Sequence, residues 1–210
     1  MARFGITAKK AYGWSAPALK KLAREIGHDH ALALELWATK IFDARALATL
    51  IDEPGRVTKL QMEKWVRDFD SWAVCDGACL NLFRYTPWAC RKCREWSARK
   101  GEFVKRAGFA LMAGLAVSDK GAPDKTFLEL LPIIKREATD ERNFVKKAVN
   151  WALRQIGKRN LRLNRAALKV ALEIHQLDSP SARWIASDAL RELQSMGVQR
   201  RLKFEHVKVR

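Results

Sequence analysis

In "DFDSWAVCDGACLNLF", from Asp68 to Phe83, a tryptophan and an aspartate stand four residues apart. On a helix Trp72 and Asp76 lie one above the other. Asp70 and Ser71 are candidate N-caps for a helix that starts near Trp72. A carboxylate beside an aromatic face can stabilise a developing cation and can orient or deprotonate a water molecule. Taken alone, the pair reads more readily as a core-edge tryptophan with a solvated or salt-bridged aspartate. The carboxylate nevertheless stands out in a chain with so large an excess of positive charge.

The second candidate is "FVKKAVNWALRQIGKRN", from Phe144 to Asn160. At helical spacing Phe144, Val145, Ala148, Val149, Ala152, Leu153 and Ile156 form one apolar face. Trp151 falls at its edge, beside Lys147, Arg154 and Lys158. An aromatic face framed by cations suits a sugar-phosphate chain better than a core. The third candidate is Arg106 in "FVKRAGFALMAGLAV", with no further charge before Asp119. A lone guanidinium on an apolar helix calls for a carboxylate or a phosphate.

Other chemistry is poorly represented. There is no phosphate-cradling glycine loop, no H-E-x-x-H and no nucleophile elbow. His28, His30, His175 and His206 are scattered. Cys75, Cys79, Cys90 and Cys93 have C-x3-C and C-x2-C spacings, but the first pair sits in a helical run with both sulfurs toward the apolar side. They read as small buried residues and not as a metal site.

The elements that must position these residues are helical throughout. Apolar residues recur at i, i+3 and i+4, and strand signals are almost absent. The pattern predicts helices over 16–26, 30–40, 43–52, 58–68, 72–85, 88–99, 101–117, 125–139, 141–157, 162–176 and 180–195, with Pro17, Pro87 and Pro180 in first turns. There is also an internal echo. "FVKRAGFAL" begins at Phe103 and "FVKKAVNWAL" at Phe144, 41 residues on; "IASDAL" begins at Ile185, and "FDARALATL" at Phe42 puts Arg45 in a matching place. A period near 41 is that of HEAT or armadillo helix pairs. The expectation is an all-α, right-handed α-α superhelix, with Arg45, Arg106 and Lys147 in one row along a concave basic groove. The alternative is an ordinary helical bundle with a chance echo. The boundaries expected are one repeat domain over 1–197 and a basic C-terminal tail over 198–210.

The totals narrow the partner. The chain has 210 residues, 48% of them hydrophobic, and a net charge of +17. That composition argues against disorder. The charge predicts a polyanionic partner, most commonly nucleic acid, with an anionic membrane surface as the other option. No apolar run reaches about 18 residues, so no transmembrane helix is expected. "MARFGITAKK" lacks a signal-peptide core, which points to the cytoplasm.

The ordered strings "YGWSAPALKKLAREIG", "ELWATKIFDARALA", "FDSWAVCDGACLNLF", "FVKRAGFAL" and "FVKKAVNWALRQIGK" together resemble the HEAT-like-repeat alkylpurine DNA glycosylases, the AlkD-type DNA alkylation repair enzymes. The resemblance implies that Trp72 and Trp151 are the aromatic residues of the catalytic cleft and Asp76 its carboxylate. Arg106 then approaches the DNA backbone, and Lys147, Arg154 and Lys158 fill cleft positions that are often basic. It implies a monomer that excises cationic N3- or N7-alkylated purines from duplex DNA without deep base flipping, and needs no cofactor, metal or membrane. Two departures stand out. Ala73 follows Trp72 where the family often has aspartate. The start at "MARFGI" resembles the end of the family's first helix, so one helix is expected to be missing there. The competing readings are a non-catalytic solenoid for bent or branched DNA and a helical scaffold for an acidic protein.

Overall fold

The computed structural model describes Ile6 and residues 10–208, with side chains through Phe204. Every regular element among the described residues is helical. Contacts divide the chain into two compact units, Met1–Lys92 and Cys93–Arg210.

The first unit contains α1 (Ala16–Ile26), α2 (His30–Ala38), α3 (Phe42–Ile51), α4 (Lys59–Arg67) and α5 (Trp72–Asn81). Most of these helices start at a side-chain cap. Ser15, Asp29, Thr58 and Ser71 each accept the backbone N–H three residues on, which satisfies a donor that the helix itself cannot. Expected residues 72–85 form α5 and then a single 3-10 turn, Phe83–Tyr85. The core of this unit is aromatic. Trp37 and Trp65 stack at 3.9 Å with planes 3° apart, and Phe69 and Phe83 pack around them. Asp52 is buried and accepts from Gln61 Nε2 at 2.6 Å, and its Oδ1 lies 2.6 Å from His30 Nδ1.

Helix α6 (Ala89–Ser97) spans the boundary. The second unit continues with α7 (Glu102–Ser118), α8 (Asp124–Leu128), α9 (Leu131–Arg136), α10 (Asn143–Gly157), α11 (Leu161–His175), α12 (Pro180–Leu193) and α13 (Met196–Lys208). The expected helix over 125–139 is broken into α8, α9 and a 3-10 turn, with Pro132 at the start of α9. Helix α13 runs through most of the segment expected as a basic tail from 198, and it buries Leu202. Every residue from Arg106 to Ala116 on α7 is buried, so α7 is the centre of this unit. Gly108 permits that. A Cβ there would come within 2.5 Å of the Ser97 backbone nitrogen, so the close approach of α6 and α7 excludes any side chain.

The repeat signal has a physical counterpart. Phe103 and Phe144, the first residues of the two echoed strings, meet at 5.4 Å between ring centroids. Helices α3, α5, α7, α10 and α12 start at residues 42, 72, 102, 143 and 180. The 41-residue spacing therefore separates only α7 from α10. The other successive starts are 30, 30 and 37 residues apart (42 to 72, 72 to 102, 143 to 180).

Candidate functional site

The sequence singled out eight residues, and their positions differ in kind. Trp72 opens α5 and Asp76 lies one turn further, as the spacing predicted; both are half-buried. Ser71 is the cap of α5, its Oγ accepting from Val74 N. Asp70, the other cap candidate, is exposed and lies 3.9 Å from Arg45 Nη1.

Arg45 is only 5% exposed. Its guanidinium sits over the Trp37 ring at 5.1 Å and donates to the carbonyls of Trp37 and Asp68 at 3.4 and 3.3 Å. A cavity of about 430 Å³ opens beside it, lined also by Lys10, Lys40, Phe42, Asp68 and Asp70. A phosphate meeting Arg45 would have to enter that cavity and pass two carboxylates. Arg45 is thus not an open rung of a surface row. Its place in α3 was legible, but its burial depends on the stacked tryptophans, which the sequence pattern did not reveal.

In the second unit Arg106 is 7% exposed and donates from Nη1 to the Phe144 carbonyl at 2.7 Å. That bond ties α7 to the first turn of α10. Lys147 is exposed and Trp151, one turn on, is half-buried. The framing of Trp151 by cations is therefore partly real: Lys147 faces solvent, whereas Arg154 and Lys158 turn toward α12.

These two cations belong to a ladder between α10 and α12. Lys146 lies over the ring of Trp184, with Nζ 5.7 Å from the centroid. Asn150 donates to Asp188 at 2.7 Å. Arg154 hydrogen-bonds Glu192 and also pairs with Asp188 at 3.3 Å. Lys158 donates to the other oxygen of Glu192 at 2.5 Å. The first three rungs, at 146, 150 and 154, meet residues 38 further on. Both helices repeat every four residues on the shared side, so the rungs stay in register. Burial pushes the Glu192 carboxyl up, but the hydrogen bond from Lys158 and the charges of Arg154 and Lys158 outweigh it and hold the group below the ordinary glutamate value.

Sequence reasoning missed this ladder. It aligned Asp188 with Lys147 on the 41-residue echo, whereas Asp188 meets Asn150 and Arg154. The 38-residue offset between "KKAVNWALRQIGK" and "WIASDALREL" would have exposed it. Trp184 was also missed as a surface group.

Cys75, Cys79 and Cys93 are buried and Cys90 is half-buried, as small core residues are. Among the described residues no group of three His, Cys, Asp or Glu side chains is arranged to hold a metal ion. None of their helices is long and apolar enough to cross a membrane.

A solved structure described as "A new family of proteins related to the HEAT-like repeat DNA glycosylases with affinity for branched DNA structures" is similar to this chain. The two are 19% identical, with a TM-score of 0.74 over 90% of this chain and 86% of the other. At that identity the likeness shows the fold, an all-helical HEAT-like-repeat fold. No curated protein matches the chain. The family model described as "DNA alkylation repair enzyme" matches residues 1–193, and the chain belongs to that family.

Proposed function

We propose that the chain is a monofunctional DNA glycosylase that hydrolyses the N-glycosidic bond of cationic N3- or N7-alkylated purines in duplex DNA. The observation that carries this reading is the Trp72–Asp76 pair, one turn apart at the start of a capped helix and half-buried. Family membership supports it.

The chemistry needs little from the protein at the base. An alkylated purine leaves with the bonding pair and so loses its positive charge. Charge then accumulates at the sugar, where an oxocarbenium-like cation forms at C1′. A carboxylate beside that carbon stabilises the cation. It also accepts a proton from the water that attacks C1′, so the strand stays intact and the product is an abasic site. Asp76 takes that role. Trp72 and Trp151 offer ring faces, which favour cations by roughly 0.5 to 2 kcal/mol each. Lys147 is the exposed phosphate contact. Arg106, bonded to the Phe144 carbonyl, sets the start of α10 and with it Lys147. Lys158 reaches a phosphate only by exchanging Glu192 for it, and Arg154 only by exchanging Glu192 and Asp188. Arg45 reaches a phosphate only through its cavity. The reading involves no cofactor, metal or membrane, and a monomer suffices.

The second reading, a non-catalytic protein for bent or branched DNA, is favoured by the internal pairing of Arg154 and Lys158 and by the affinity named for the similar structure. The test is to incubate the purified chain with methylated duplex DNA and measure free methylpurines. Release of 3-methyladenine or 7-methylguanine with unbroken strands is expected. Tight DNA binding with no release would leave the second reading.

A further inference from the structure

Helices α5, α7, α10 and α12 start at residues 72, 102, 143 and 180. Asp76, Arg106, Lys147 and Trp184 are therefore each the fifth residue of their helix. Three of these four were candidates from the sequence; the fourth was not. Trp184 is 41% exposed. Of the eight tryptophans, Trp37, Trp65 and Trp96 are 3% exposed or less, Trp72, Trp88 and Trp151 are half-buried, and Trp14 and Trp184 are exposed. A single apolar side chain at a surface is ordinary; what marks this one is its size and the cation over its ring.

The surroundings of Trp184 are cationic. Lys146 lies over its ring, Lys147 is the next residue on α10, and Arg183 precedes it on α12. The nearby acids are Glu141, Asp178 and Asp188: Glu141 accepts from Ser179 Oγ at 2.7 Å, Asp178 pairs with Arg183 at 3.2 Å, and Asp188, one turn on from Trp184, accepts from Asn150 at 2.7 Å. Elsewhere in the ladder a carboxylate answers the α10 side chain; here an indole does. A half-exposed aromatic ring with a cation over it, and further cations beside both in sequence, can stack an unpaired nucleobase in place of that cation while the cations hold its phosphates. In an intact duplex, bases are stacked and offer no face. A ring at a helix surface can reach one only where pairing is broken.

We propose that Trp184, with Lys146 and Lys147, is a stacking site for an unpaired DNA base, so that the protein prefers DNA with a gap, flap or junction next to the contacted duplex. This rests on the DNA-binding part of the proposed function and not on catalysis. Neighbouring packed helices lie about 8–10 Å apart. A base on Trp184 of α12 is then one or two nucleotides from the strand contacted by Lys147 and Trp151 of α10.

The experiment compares the parent, Trp184→Ala and Trp184→Phe on a blunt duplex and on the same duplex carrying a short single-stranded flap. Melting curves check that each variant is folded. Stacking on an aromatic side chain accounts for roughly 5- to 100-fold in affinity per base. Trp184→Ala should therefore lose about that factor on flapped DNA and stay within about twofold on blunt duplex. Trp184→Phe should keep most of the preference. A 2-aminopurine in the flap should be quenched by the parent and by Trp184→Phe, and not by Trp184→Ala. Equal loss on both probes, or no loss with quenching unchanged, overturns the stacking site. If the parent binds neither probe, the DNA-binding reading itself is wrong and this inference falls with it.

Discussion

Asp76 and Trp151 separate two kinds of contribution at the residue scale. Asp76 is assigned to charge that exists only in the transition state. Asp76→Asn should then slow base release by about two to three orders of magnitude, on the order of 3–4 kcal/mol. Binding to undamaged duplex should hold or tighten slightly, because a negative charge facing phosphates is removed. Trp151 is assigned a sugar contact present in both states. Trp151→Ala should weaken binding to lesion DNA as well as slow release. Single-turnover excision of 7-methylguanine beside equilibrium binding distinguishes the two, and an Asp76→Asn variant as fast as the parent would remove Asp76 from the chemistry.

Between elements, the α10–α12 ladder changes what the basic side chains do. Arg154 and Lys158 are cations by composition, yet their charge is answered by Glu192 and Asp188. Glu192→Gln should release part of that charge to the solvent side. DNA affinity should rise by about three- to tenfold at low salt, and the dependence on salt should steepen by up to about one counterion. Arg154→Ala should behave differently. It leaves Glu192 and Asp188 half-paired, so its main effect is a loss of about 1 to 3 kcal/mol of stability in denaturant titration. If Arg154→Ala instead matches Lys147→Ala, weakening DNA binding with an unchanged midpoint, the ladder does not hold in solution.

Across the whole molecule, two measurements follow from charge. With a net +17, affinity for duplex DNA should fall steeply with salt as condensed counterions are released. A slope near zero would exclude nucleic acid as the partner. The second is acid stability. Burial pushes Glu137 and Asp140 up, but bonds from Lys105 and Arg136 to Glu137, and from Arg142 to Asp140, more than offset it. Both carboxyls, with Glu192, titrate below their ordinary values of 4.5 and 3.8. A depressed carboxylate stabilises the fold fully above its unfolded value and loses that contribution as pH falls through the folded value. Stability should thus be flat from neutral pH down to about 5 and fall progressively below about 4.5. Replacing Glu137 by Gln should shrink that acid-dependent part, measured as the change in melting temperature between pH 7 and pH 3.5.

Much of the protein is determined by the sequence alone. Helix spacing in apolar residues is a local property, and caps such as Ser71 and Ser179 act within one turn. That is why α1, α5, α10 and α12 could be bounded to within a few residues, and why Trp72 and Asp76 could be put on one side of one helix. The echo at Phe103 and Phe144 was legible because two neighbouring helices share a packing requirement, and their rings do meet. Tertiary structure decided the rest. Whether a cation is a surface group depends on which residue of another helix it faces. Arg45 is buried over Trp37 because Trp37 and Trp65 stack, and those residues are distant in sequence. Arg154 and Lys158 face α12 because α10 and α12 pack with a 38-residue offset, set by the length of the segments between them. The same offset sets Lys146 over Trp184. No periodicity within a single helix encodes that offset, so the sequence pattern could not show that Arg154 and Lys158 pair with Glu192 or that Lys146 lies over Trp184.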